Sequence, residues 1–137
     1  MMQENTSELV QNNYLCVADA IQKVCDAELV HEMLNMLDAS IEGDWATFEK
    51  YINTNQYVLA ANILHGMKGT VPIFSDRKTE ATMQKTESLL RNHVNGVELE
   101  NTVKELNFQM MGFMAELKLW VKWQHQLPFN AASPSIS

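Results

Sequence analysis

Two stretches of this 137-residue chain repeat apolar residues every three or four positions for so long that only helices packed on helices can use them. In one, Val30, Leu34, Leu37, Ile41, Trp45, Phe48 and Ile52 follow at spacings of four, three, four, four, three and four. In the other, Leu99, Val103, Leu106, Met110, Phe113, Leu117 and Trp120 alternate four and three, the seam of a helical bundle. Phe108, Met111, Met114 and Trp123 widen that second apolar surface, and methionine at helical spacing reads as core filler. Only 5 glycines and 3 prolines interrupt the chain, which suits an all-α domain better than a sheet protein. This length makes one domain around one core.

In chain order, residues 1–11 are polar and are expected to be a flexible N-terminus. Tyr14, Val17, Ile21 and Val24 predict a first helix from about Asn12 to Cys25, flanking the bundle. Asp26 is placed to cap the long second helix, which runs to about Asn53. Gly43 and Asp44 could break it, but the stripe keeps phase across them and predicts continuity. After the turn Asn53-Thr54-Asn55, a third helix spans Gln56 to Ser75. A fourth, about Asp76 to Asn92, has a thin stripe of Thr79, Met83, Thr86, Leu89 and Leu90. Asn95-Gly96 marks a turn into the last helix, about Val97 to Gln124. The helical domain is thus 12–127, its bundle about 26–124, followed by a small, polar tail at 128–137 expected to be disordered.

The formal charge of −7 argues against nucleic acid or an anionic membrane surface as the main partner. No apolar run approaches the ~20 residues that span a bilayer, and MMQENTSE lacks the features of a signal peptide. A cytoplasmic location follows as the expectation. Cys16 and Cys25, nine apart, match no redox or zinc spacing and are expected to be reduced structural thiols.

The chemistry is expected in the third helix, around His65-Gly66-Met67-Lys68-Gly69. Wound at about 100° per residue, Ala61, Asn62, Lys68, Gly69 and Pro72 fall within about 60° of His65. Leu59, Ala60, Ile63, Met67, Val71 and Phe74 fall on the far side as an apolar stripe, so His65 points to water. Lys68, one turn on, can set a cation beside an anion carried by the imidazole. Gly66 and Gly69 each cost a helix about 1 kcal/mol relative to alanine, which suits a face that another molecule approaches closely. Of the other histidines, His31 lies at the edge of its stripe and has a structural reading, and His93 ends the fourth helix, where an imidazolium suits the dipole. Arg77, Lys78, Lys85 and Arg91 form a basic cluster that is either a solvated face or a meeting point for an acidic partner.

His65-x-x-Lys68-Gly69, preceded by Ala61 and Leu64 and followed by Thr70, resembles the signature of histidine-containing phosphotransfer (HPt) domains, approximately A-H-x-L-K-G-S. The resemblance covers about Asp26 to Trp123 and implies an antiparallel four-helix bundle, here with an additional N-terminal helix. It implies that His65 takes a phosphoryl group on Nε2 from a receiver-domain aspartate and passes it to the receiver of a response regulator. By the same resemblance Lys68 steadies that group, and Ala61, Asn62, Gly69 and Pro72 belong to the face where the receiver docks. Met67 replaces the family's usual leucine, a volume-conserving swap. Pro72 stands where the family has a small residue and is expected to kink the helix near Lys68. Ser75 replaces a glycine common at the end of the stretch.

No P-loop or glycine-rich nucleotide site is present, so the chain is expected to be a phosphocarrier rather than an enzyme, with no bound cofactor. The magnesium ion that assists transfer belongs, in this family, to the partner receiver. The setting implied is the C-terminal module of a bacterial hybrid sensor histidine kinase, whose parent chain would sit in the inner membrane, or a free-standing carrier. A monomer is expected, since one phosphoacceptor face needs no second copy. Two readings from other classes remain: a helical adaptor that never carries phosphate, and a metal or haem bundle. Against the latter, Glu28-x-x-His31 is the one Glu-x-x-His in the sequence where a di-metal bundle uses two, and the four histidines are scattered.

Overall fold

The computed structural model describes residues 14–94 and 96–126. The expected flexible N-terminus, the first two residues of the expected first helix and the tail lie outside them. Six helices are found there: α1 Val17–Val24, α2 Ala27–Asn53, α3 Tyr57–Met67, α4 Val71–Phe74, α5 Arg77–Arg91 and α6 Val97–Gln126. Among the described residues there is no strand, only an isolated antiparallel bridge between Leu15 and Ser75.

Helix α2 starts where its cap chemistry says it should, with Asp26 in an extended conformation and its carboxylate accepting the Leu29 N–H at 3.0 Å. It runs through Gly43 without a break and buries Val30, Leu34, Leu37, Ile41, Trp45 and Phe48. Around the bundle α2 packs on α3, α3 on α5, α5 on α6, and α6 back on α2, while α1 lies against α2 and α4. The ring of four helices closes over Phe48, Leu64, Phe74, Met83, Leu90, Leu106, Met110, Phe113 and Leu117, all buried. Each such side chain contributes about 1.5–3 kcal/mol through its removal from water. Trp45 stacks on Phe48 with centroids 4.8 Å apart and donates from Nε1 to Asn107 Oδ1 of α6 at 3.2 Å, so its one polar atom is satisfied within the packing.

Two expected boundaries are corrected. The first helix begins at Val17 rather than Asn12, because the backbone ahead of it is held by distant groups. Glu116 Oε1 accepts the N–H of Tyr14 and of Leu15 at 2.8 and 2.9 Å, and Cys16 N–H donates to the Phe74 carbonyl at 2.7 Å. The single helix expected over Gln56 to Ser75 is two. Helix α3 stops at Met67, the turn Lys68-Gly69-Thr70 follows, and Pro72 sits in the first turn of α4, where its missing N–H has no helical partner to lose. Ser75 is extended (φ −99°, ψ 171°) and bridges Leu15, so no glycine is required at that exit.

Candidate functional site

The site lies where α3 meets α5. His65, in the last turn of α3, is 69 % exposed, and its Nδ1 lies 3.0 Å from Glu87 Oε2. Lys68, at the C-cap of α3, donates from Nζ to Glu87 Oε1 at 2.8 Å. Arg91, four residues beyond Glu87 on α5, donates from Nε to Oε2 at 2.9 Å, and its Nη2 reaches the Ala61 carbonyl at 3.5 Å. One carboxylate therefore gathers three donors from two helices, within the capacity of its lone pairs.

Glu87 is only 10 % exposed, and a buried carboxylate survives as an anion only with such company. Burial pushes its pKa up, but hydrogen bonds from Lys68 and Arg91, the charge of Lys68 and the hydrogen bond from His65 outweigh that. The carboxyl is held below its ordinary value. An ionised Glu87 can only accept, so His65 Nδ1 must carry a proton, and in the neutral ring Nε2 is then the nitrogen with the free lone pair. That nitrogen lies on the far edge of the exposed ring, without a protein partner among the described residues. The arrangement presents an oriented imidazole to solvent, with two cations one side chain away.

The expected site residues divide by position. His65 is exposed as its place on the wheel requires, and Asn62 and Gly69 are exposed on the same flank. Pro72 is half-buried, its carbonyl 3.4 Å from Lys23 Nζ of α1. Ala61 departs from the expectation: it is fully buried and has no side-chain surface to offer a partner. Its small side chain instead lies where α5 closes on α3 and where Arg91 meets the α3 backbone. Lys68 is not a free cation, because Glu87 already holds it. Val58, two turns before His65 and on its side of the helix, is 52 % exposed and was not singled out.

Glu87 itself was missed by the sequence reading. The signal available was a glutamate beside the buried positions of α5, with an arginine four residues on to pair with it. The basic cluster divides too. Arg91 enters the site, whereas Lys78 and Lys85 project about 160–180° away from Glu87 around α5. Of the remaining histidines, His31 packs edge-on against Trp120 with centroids 5.1 Å apart, and His93 has positive φ (58°) in the turn after α5.

Among the described residues no group of three His, Cys, Asp or Glu is placed to hold a metal ion. Among them, too, no helix is long and apolar enough to cross a membrane. Compared with protein-family models, with curated proteins and with solved structures, the chain matches none of them.

Proposed function

We propose that this chain is a histidine phosphotransfer module of a multistep phosphorelay, built as an HPt-type antiparallel four-helix bundle with α1 as the extra helix. The observation that carries the reading is the bond between His65 Nδ1 and a buried, ionised Glu87, which leaves Nε2 as the exposed nucleophile. In the reaction the Nε2 lone pair attacks phosphorus of a receiver phosphoaspartate. The bond from phosphorus to the aspartyl oxygen breaks, and the carboxylate leaves with the electron pair. The imidazole keeps its Nδ1 proton and becomes positively charged, and Glu87 offsets that charge across the 3.0 Å contact. Lys68 and Arg91 hold Glu87 ionised before transfer, and the phosphoryl group arriving beside them competes for their donors afterwards. The return step to a response-regulator receiver reverses these bonds. Magnesium is supplied by the receiver, and the carrier needs no nucleotide of its own.

The test is transfer of labelled phosphate from a phosphorylated receiver in the presence of magnesium, with the native chain and with His65→Gln. Label on the native chain alone supports the reading. The second reading is a helical adaptor that carries no phosphate, favoured by the exposed apolar face of α6. It requires partner binding that is indifferent to His65→Gln.

A further inference from the structure

Helix α6 turns one face away from the bundle. Phe108, Met111, Leu119 and Trp123 lie there with exposures of 71, 54, 50 and 49 %, and exposed Ala115 sits among them. All fall within about 60° of Phe108 around the helix. Tyr14 extends the patch, its ring lying over Gly112 and meeting Phe108 edge-on at 6.4 Å. A contiguous apolar surface of this kind on a soluble domain marks a contact with another molecule.

The charges beside the stripe are sorted by sign. Lys104, Lys118 and Lys122 follow one edge and Glu98, Glu105 and Glu116 the other, with Glu100 the single exception on the lysine edge. Two copies with α6 side by side and parallel, related by a twofold axis along the helices, would set each lysine edge against the other's glutamate edge. Antiparallel pairing would set lysines against lysines. We propose that this stripe is a self-association surface through which two copies of the chain pair with their α6 helices parallel.

Lys118 already bridges Glu42 at 3.1 Å, and Glu116 accepts the Tyr14 and Leu15 amides. The pairs across the axis are therefore Lys104 with the partner's Glu105, and Lys122 over the indole of the partner's Trp123, each formed twice. Phe108, Ala115 and Leu119 fill the seam between them. Helix α3 packs against α2 and α5, so pairing through the outer face of α6 leaves both His65 rings open to solvent. This pairing does not depend on the phosphotransfer reading.

The full chain is examined by sedimentation velocity at about 10–100 µM, a range that detects dissociation constants typical of a modest homodimer. The expected result is a dimer that Phe108→Asp or Leu119→Asp weakens about a hundredfold, with the helical circular dichroism unchanged. Orientation is read from single cysteines at Asn101 and Ala115 in a Cys16→Ser, Cys25→Ser background, oxidised with diamide. The two positions are about 21 Å apart along the helix. In a parallel pair each meets its own copy, and both variants form disulfide-linked dimers as diamide takes up the two electrons. A monomer throughout the range overturns the proposal, as does cross-linking at only one of the two positions.

Discussion

Glu87 decides how His65 is presented, because a carboxylate that cannot donate forces the proton onto Nδ1 and the reactive lone pair onto Nε2. Glu87→Ala removes that constraint, and the ring nitrogens in 15N spectra should then report mixed tautomers where the native chain reports one. Transfer to His65 should slow roughly tenfold to a hundredfold, the usual effect of a misoriented reacting group. An unchanged rate would remove Glu87 from the mechanism.

The same residue sets an acid limit on stability. Its folded pKa lies below the unfolded value, near 4.5, so the stability it contributes is complete above about pH 4.5 and is lost as pH falls through the lower folded value. Glu87→Gln should be less stable than the native chain at neutral pH, and the gap in thermal midpoint should narrow on acidification through that window. Parallel pH profiles would contradict this. The exposure of His65 and the nearness of Lys68 were legible in the sequence, because both follow from the geometry of one helix. Glu87 was not, because it comes from another helix. The burial of Ala61 was hidden for the same reason: its place on the wheel was right, but α5 covers that flank.

At the scale of elements, helix identity followed from patterning, and the errors fell where tertiary bonds compete for the backbone. The stripe of α2 stays in register across Gly43, and α2 is continuous there. A methyl added at Gly43 would meet nothing within 4 Å. Gly43→Ala should therefore raise stability by about 1 kcal/mol, read as an upward shift of a few degrees in the thermal midpoint. Destabilisation would mean that α2 needs a hinge there. By contrast, Tyr14 opens the apolar spacing that Val17, Ile21 and Val24 continue, yet Tyr14 to Cys16 lie outside the helix. Glu116 and Phe74 accept amide protons that a helix would have left to solvent at its first turn. Pro72 signalled a disturbance from sequence alone. That it opens a new short helix after a turn depends on Val71 and Phe74 both reaching the core, which is a property of the packed molecule.

At the scale of the whole molecule, the bundle separates two surfaces. The groove between α3 and α5 holds a polar, charge-balanced cluster around an exposed imidazole, and the outer face of α6 is apolar and edged by opposite charges. The seam of α6 was legible because Leu99, Leu106, Met110, Phe113 and Leu117 are all buried. That Phe108, Met111 and Trp123 would stay outside was not, since a widened stripe looks the same in sequence whether a neighbour covers it or not. Phosphotransfer through His65 is tested most directly by incubating the native chain and His65→Gln with a labelled phosphoreceiver and magnesium, then challenging the product with acid and with base. The result expected is label on the native chain that is lost in acid, survives base and is missing from His65→Gln. Absence of label from the folded native chain with several receivers, or equal labelling of His65→Gln, would contradict it.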